Sequence, residues 1–151
     1  MSLFEKFARK YFEEAVLDLA RAKRAFDVGD YPQAVFYAQQ CAEKGAKAML
    51  EAKRRVVLNQ GPELVSAFVE VFEGEWSPEL DEVVKALEYL MEYYARARYP
   101  FVLRGEVLGP SDIVTRDVAD RGLYLAERAL KAAEEHLRRR GIIGGEEAPR
   151  R

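Results

Sequence analysis

Hydrophobic residues recur along most of this chain at the three- and four-residue spacing of amphipathic α-helices. The first such stripe covers residues 3–28 and stops at Gly29, a residue favoured just past a helix end. A second helix, 30–50, begins at the N-cap residue Asp30 and carries Pro32 in its first turn. Because the junction at Gly29 and Asp30 is short, the two helices are predicted to pair antiparallel as an αα-hairpin.

The second helix carries small residues along one face and polar residues along another. The small residues follow a spacing of four, three, four, three and four, and they are Ala34, Ala38, Cys41, Gly45, Ala48 and Ala52. A face of this kind lets a neighbouring helix approach closely. The polar row on another face consists of Tyr37, Gln40, Lys44 and Lys47, whose spacing brings their side chains together.

The middle of the chain predicts a short helix and a third long helix. Residues 63–72 fit the helical template, although their β-branched content leaves a strand as the alternative. The next helix begins at Ser77 as N-cap and its apolar stripe extends to about Arg98. Tyr99 and Pro100 end it, since proline disfavours the α conformation in the residue before it.

The last part of the chain predicts one more long helix. Residues 101–110 hold glycine, proline and other turn-forming residues and are interpreted as a loop. Ser111, Asp112 or Thr115 then caps a helix that extends to about Arg140. No stretch alternates with a period of two for long enough to predict a sheet.

Length and element count favour a single domain. At 151 residues the chain suffices for one hydrophobic core. The predicted fold is an all-α, antiparallel up-and-down helical bundle over residues 3–140, with four long helices and one short helix. Residues 141–151, which are rich in glycine and include a proline, are predicted to form a disordered C-terminal tail.

Charge and cysteine content exclude several classes of protein. The chain has 24 Lys and Arg against 26 Asp and Glu, so no overall positive field favours nucleic acid and any such site must be local. The single cysteine, Cys41, excludes an internal disulfide and is interpreted as a buried small hydrophobic residue.

No apolar run spans a bilayer and no secretion signal is visible, so a soluble cytoplasmic protein is expected. The many charges and the single asparagine are typical of thermophiles.

Two groups of residues are candidates for binding. In the polar row, Lys44 and Lys47 with the amide of Gln40 and the phenol of Tyr37 suit a phosphate and a base, or a partner chain; a solvated face is the alternative. A second cluster at the end of the third long helix combines guanidinium groups with an aromatic ring. Such a combination suits phosphate binding and base stacking. It consists of Arg96, Arg98, Tyr99 and Arg104. Its alternative is a structural role at the helix C-terminus.

Other polar residues are interpreted as surface positions without a role in chemistry. Asp18 lies on the polar side of the first helix and is expected to face water. Glu43 is expected to pair with Lys47 one turn away, and His136 is expected to be exposed and without function. The sequence shows no metal-ligand cluster, no glycine-rich phosphate loop and no Ser/His/Asp set, so neither a metal nor a cofactor is predicted.

The second helix resembles the signature helix of HEPN domains, the higher eukaryote and prokaryote nucleotide-binding family. The matching residues are Ala38-Gln39-Gln40, Glu43-Lys44 and Lys47-Ala48. The resemblance extends over about residues 4–140 through Ala15, Asp18 and Ala22, Gly29-Asp30-Tyr31, Arg98-Tyr99-Pro100 and Ala126-Glu127. One departure is Tyr37, which stands where many members have histidine before the Ala-Gln-Gln string.

The resemblance implies a small set of functions. Some HEPN proteins are metal-independent ribonucleases, in which an arginine precedes a histidine by four to six residues and two such motifs meet across a dimer. Here the only histidine is His136, and the nearest preceding arginines, Arg128 and Arg121, lie eight and fifteen residues upstream. The ribonuclease motif is therefore absent, which favours a member without catalytic activity.

Other members of the family bind nucleotides or proteins and are often encoded beside a minimal nucleotidyltransferase. The resemblance thus implies a homodimer that binds a nucleotide, an RNA or a nucleotidyltransferase partner, as in a toxin–antitoxin pair. One alternative is a degenerate ribonuclease that uses Arg98, Tyr99 or Tyr37. The other is a purely structural module for protein interactions.

Overall fold

The chain folds as an all-α helical bundle, as predicted, in a computed structural model that describes residues 1–56 and 58–144. The helices are α1 (Leu3–Asp27), α2 (Tyr31–Ala52), α3 (Pro62–Phe72), α4 (Pro78–Glu92), α5 (Pro110–Ile113) and α6 (Arg116–Arg139). A 3₁₀ turn (Glu73–Glu75) follows α3, and two short strands, β1 (Phe101–Leu103) and β2 (Glu106–Leu108), precede α5. Within the two described ranges, no helix has both the length and the apolar character that crossing a bilayer requires.

The turn between α1 and α2 confirms the predicted hairpin. Gly29 adopts a φ of 81°, in the left-handed region where glycine is favoured. The amide of Asp30 donates a hydrogen bond to the carbonyl of Ala25 at 2.9 Å, which completes the end of α1. The Asp30 carboxylate in turn accepts a hydrogen bond from the backbone N–H of Gln33 at 3.4 Å, so it caps α2.

Helix α2 lies at the centre of the bundle and contacts α1, α4 and α6. All six small residues of its seam are buried, which confirms that this face is used for close packing. A Cβ atom added at Gly45 would lie 3.7 Å from the Cβ of Ala133 in α6. Cys41 is fully buried in the same seam, as predicted. Burial, and after it the charge of Asp18, raises the pKa of the Cys41 thiol.

Helix α6 packs closely on α4 and begins at one of the three predicted caps. Thr115 is its N-cap, with the hydroxyl accepting a hydrogen bond from the N–H of Val118 at 3.4 Å. The carboxylate of Asp112 instead accepts from the N–H of Gly109 at 2.8 Å, in the short helix α5. At Gly122 the two long helices approach so closely that an added Cβ would lie 2.9 Å from Leu90 Cδ2.

The segment after α4 differs from the prediction. The third long helix ends at Glu92 rather than near Arg98, and turns follow. Where only a loop was predicted, β1 and β2 form an antiparallel hairpin with Val102 opposite Val107. The strands are three residues long, too short to show alternation in the sequence. Arg104 and Gly105 form the turn with φ values of 52° and 82°, as a two-residue hairpin turn requires.

Helix α6 ends at Arg139, close to the predicted end near Arg140, and ordered residues follow it. Gly141 adopts a φ of 72°, and the amide of Ile142 donates a hydrogen bond to the carbonyl of Leu137 at 2.9 Å. Ile142 and Ile143 are each 2% exposed and belong to the core. These apolar residues therefore extend the packed fold past residue 140. Residues 145–151 of the predicted tail lie outside the described residues.

Candidate functional site

A cleft of about 580 Å³ opens between α2, the connection from α2 to α3, and the end of α4. Helix α2 contributes Gln39, Gln40, Glu43, Lys44 and Lys47, and the connection with the start of α3 contributes Gln60, Gly61 and Pro62. The end of α4 and the following turn contribute Met91, Glu92, Tyr94, Ala95 and Arg96. Tyr11 of α1 completes the lining. The volume lies in the range typical of small-molecule sites.

The cleft brings together four of the eight predicted binding residues. Three come from the polar row of α2 and one from the cluster after α4; they are Gln40, Lys44, Lys47 and Arg96. The other four predicted residues, which are Tyr37, Arg98, Tyr99 and Arg104, are not part of the cleft lining. The cleft lining therefore combines three residues of the first predicted group with one of the second.

A partly buried ion pair holds Lys44 at the wall of the cleft. Its ammonium donates a hydrogen bond to Oδ2 of Asp18 at 2.5 Å. Asp18 is only 2% exposed, and its Oδ1 accepts a second bond from Arg21 Nη1 at 2.7 Å. The expectation that Asp18 faces water is therefore wrong, because α2 supplies a cation on the same side. The charge of Lys44 is compensated before any ligand arrives.

Next to this pair, the rest of the α2 face remains available to a ligand. Gln40 Nε2 donates to the buried Oε1 of Gln39 at 2.9 Å, which leaves the Gln40 carbonyl oxygen as an acceptor. Lys47 is half-buried and makes no hydrogen bond or ion pair with any residue in the described ranges. The expected pair between Glu43 and Lys47 is not formed there; Glu43 Oε2 instead accepts from the N–H of Gly61 at 3.4 Å.

The opposite wall adds a third cation to the site. Arg96 is half-buried, and its guanidinium lies 5.3 Å from the ring centroid of Phe101, so the hairpin supports it. Exposed Glu92 adds a carboxylate. Three cations and two carboxylates line the cleft, so its formal charge is weakly positive; the buried Asp18 behind it is shared between Lys44 and Arg21. The cleft suits a small anion better than a long polyanion.

Arg98 lies beside the cleft, in an aromatic cluster. Its guanidinium is 5.2 Å from the ring centroid of Phe36, 5.5 Å from that of Tyr94 and 5.1 Å from that of Tyr99. Arg98 Nη1 also donates to the Tyr94 hydroxyl at 3.0 Å. Since Tyr94 lines the cleft, Arg98 and Tyr99 support the cleft wall through it.

The two remaining predicted residues lie elsewhere. The ring of Tyr37 packs edge-on against Phe36 at 5.3 Å and faces the guanidinium of Arg21 at 6.0 Å. Arg104 is at the turn of the hairpin. Neither residue contributes to the cleft lining.

His136 is buried, contrary to expectation, and lies outside the cleft. It is 6% exposed, its ring packs edge-on against Phe72 at 5.3 Å, and its Nε2 accepts a hydrogen bond from Arg140 Nε at 3.1 Å. Burial, followed by the charges of Arg140 and Arg139, lowers the pKa of His136 to about 4. No imidazole therefore lines the cleft, since this is the only histidine in the sequence.

Several lining residues were not predicted, because they lie far from α2 in sequence. Tyr11 lies on α1, Gln60, Gly61 and Pro62 on a loop and the start of α3, and Met91 on α4. Helical spacing identifies which residues share one face, but it does not say which loop covers that face. Gln39 and Glu43 neighbour the predicted row, so only their roles were missed. Among the described residues, no group of His, Cys, Asp and Glu side chains is arranged to hold a metal ion.

Comparisons with known proteins agree with this fold. A family model described as HEPN domain matches residues 8–137. A Methanocaldococcus jannaschii protein named "Putative toxin MJ1304" is 29% identical over 138 residues, covering 88% of this chain and 90% of that protein. The crystal structure of TT1696 from Thermus thermophilus is 31% identical, with a TM-score of 0.73 and coverage of 86% of this chain and 98% of that one. The crystal structure of ST0689, an archaeal HEPN homologue, shares the fold at 23% identity, with a TM-score of 0.63 and coverage of 85% and 95%.

Proposed function

This chain belongs to the HEPN domain family, and we propose that it is the HEPN member of a two-component, toxin–antitoxin-like pair. In this proposal the protein is a homodimer without catalytic activity. It binds a nucleotide in the cleft between α2 and α4, and its protein partner is a minimal nucleotidyltransferase.

The composition of the cleft carries the nucleotide part of the proposal. Lys47 offers an ammonium without a protein partner in the described ranges, and Arg96 offers a guanidinium that can bind two phosphate oxygens. Tyr94 is 38% exposed and, with Met91, presents a surface on which a base can lie. Amide groups from Gln40 and Gln60 add donors and acceptors.

The charge balance favours a single nucleotide over a strand of RNA. The chain carries a formal net charge of −2, and the cleft itself is only weakly positive. Strand binding depends on many cations that neutralise successive phosphates. Two available cations in one pocket instead match the phosphates of one nucleotide.

The position of the histidine supports a binding role rather than catalysis. RNA cleavage near neutral pH relies on a general base, and its loss lowers rates by roughly 10²- to 10⁴-fold. His136 is buried against Phe72 and is not part of the cleft. Arg98, the candidate for a degenerate ribonuclease, is held by three aromatic rings. Cleavage of RNA by the purified protein, abolished by Arg98→Ala, would favour that alternative.

The toxin–antitoxin part of the proposal depends on the family and on its relatives. The M. jannaschii protein with 29% identity bears the name of a toxin, and HEPN resemblance implies a nucleotidyltransferase partner. Coexpression of this chain with a minimal nucleotidyltransferase from the same genome, followed by size-exclusion chromatography with light scattering, tests partner and dimer together. A monomer that elutes apart from the nucleotidyltransferase would contradict both.

Calorimetric titration with ATP and GTP tests the nucleotide site. We expect wild-type protein to bind at least one of them, and Lys47→Gln to weaken binding by roughly tenfold, because a phosphate then loses a charged hydrogen bond. Lys85→Gln is the matched control, since Lys85 is exposed on α4 and outside the cleft. Absence of heat with both nucleotides, or equal effects of the two variants, would contradict the proposed site.

A further inference from the structure

We propose that the carboxylate of Glu43 selects guanine, so that the cleft takes a guanosine nucleotide in preference to an adenosine one. The inference rests on the proposed function, because it assigns a base to the nucleotide that the cleft would hold. It starts from an unexpected feature of the site: a carboxylate is held inside a cleft whose cations suit phosphate.

The position of Glu43 is set by the backbone of a neighbouring element. Its Oε2 accepts a hydrogen bond from the N–H of Gly61 at 3.4 Å, which directs the carboxylate to the start of α3. Gly61 has a φ of 61°, a backbone conformation that residues other than glycine rarely adopt. Glu43 is half-buried, and its second oxygen, Oε1, accepts no hydrogen bond from any residue that the structure describes, which leaves its lone pairs for a ligand.

Apolar atoms flank this carboxylate. The sulfur of Met91 would lie 3.8 Å from a Cβ atom added at Gly61, and Pro62 follows directly in the cleft lining. A planar base can pack on these groups while its edge faces Glu43. Lys47, one turn further along α2, remains for the phosphates.

The chemistry of the carboxylate decides which base fits. An ionised carboxylate only accepts hydrogen bonds, and it can accept two in parallel. Guanine presents two adjacent donors, the N1–H and the N2 amino group, whereas adenine presents the N1 lone pair at the equivalent position. Glu43 therefore pairs with guanine and repels the corresponding edge of adenine.

A second carboxylate in the cleft supplies a matched control. Glu92 also lines the cleft, but it is exposed at the end of α4, and no hydrogen bond holds it among the described residues. Glu43→Gln and Glu92→Gln remove the same charge. Both should strengthen phosphate binding in general, so the informative quantity is the ratio of GTP affinity to ATP affinity.

The experiment is calorimetric titration of wild type and both variants with GTP, inosine triphosphate and ATP. We expect wild type to bind GTP roughly tenfold more tightly than ATP. Inosine triphosphate, which lacks the N2 amino group, should bind more weakly than GTP. Glu43→Gln should bring the GTP to ATP ratio close to one, since its amide still accepts from Gly61 but no longer pairs with both guanine donors. Glu92→Gln should leave the ratio unchanged.

Each outcome separates this inference from the proposed function. Equal affinity for ATP and GTP in wild type would overturn the guanine assignment and leave the nucleotide site standing. A ratio that Glu43→Gln does not change would overturn the role of Glu43. Absence of binding by all three nucleotides would overturn both. The comparison of GTP with inosine triphosphate uses wild-type protein alone, so it tests recognition of the guanine N2 amino group even if a variant fails to fold. Equal affinity for the two would contradict that recognition.

Discussion

The carboxylate of Asp18 in α1 and the ammonium of Lys44 in α2 lie 2.5 Å apart. The two sides of this pair differ in exposure: the side chain of Asp18 is 3% exposed and that of Lys44 is 28% exposed. Asp18 thus depends on its partners for compensation, while Lys44 also reaches water. The pair joins the first two helices directly beside the cleft.

This asymmetry predicts unequal effects of substitution on stability. Lys44→Met should lower the free energy of unfolding by about 3 kcal/mol, because it leaves a buried carboxylate with Arg21 as its remaining cation. Asp18→Asn should cost less, about 1 to 2 kcal/mol, since Lys44 can turn to solvent. Urea denaturation of the two variants measures the difference. A larger loss for Asp18→Asn would show that burial does not control the energy of this pair.

Two glycines in long helices predict opposite effects of the same added methyl group. Gly45→Ala places a Cβ at an ordinary contact distance from Ala133 and should stabilise the protein by about 0.5 to 1 kcal/mol through helix propensity. Gly122→Ala places a Cβ 2.9 Å from a methyl of the buried Leu90 and should destabilise it by about 1 to 3 kcal/mol. Thermal unfolding of both variants checks the signs, and two shifts of the same sign would contradict the packing described between α4 and α6.

The lowered pKa of the buried His136 predicts that the protein loses stability between neutral and mildly acidic pH. The folded protein keeps this imidazole neutral down to a pKa of about 4, whereas the unfolded chain protonates it below about 6.5. The unfolded state therefore binds more protons in this window. The contribution of His136 is fully present above pH 6.5 and is lost as the pH falls towards 4; between about pH 7 and about pH 5 the loss is about 2 kcal/mol.

The comparison with His136→Gln isolates this effect. Lys53, Arg139, Arg140 and Glu75 surround the imidazole in both proteins, and the titrating carboxylates elsewhere are also common to both. Urea denaturation at the two pH values should show a smaller loss for the variant. Equal losses would mean that His136 is protonated in the folded state.

Helix ends that are marked by local turn and capping residues could be predicted from the sequence, whereas an end that had to be inferred from apolar spacing could not. The ends of α1 and α2 follow from Gly29 and Asp30, whose turn and capping roles are local. The end of α4 was misplaced because Met91 and Tyr94 continue the apolar spacing. Both side chains line the cleft instead of the core, and Tyr94 continues the spacing two residues after the helix has ended.

The candidate site was predictable on one side only. Spacing along α2 places Gln40, Lys44 and Lys47 on one face, and in the structure all three belong to the cleft lining. The partner of Lys44 is an acidic residue on another helix, and the acceptor role of Glu43 depends on the backbone of Gly61. Both relationships arise from helix packing and loop geometry, which a single helical repeat does not encode.

The sealed position of Cys41 has a practical consequence for studying the protein in solution. Its side chain is fully buried in the α2 seam, and its raised pKa keeps the thiol protonated at neutral pH. The folded protein therefore offers no accessible thiol to a labelling reagent. A single cysteine introduced at an exposed position such as Lys85 would take up a fluorophore or spin label by itself, with the native sequence otherwise intact.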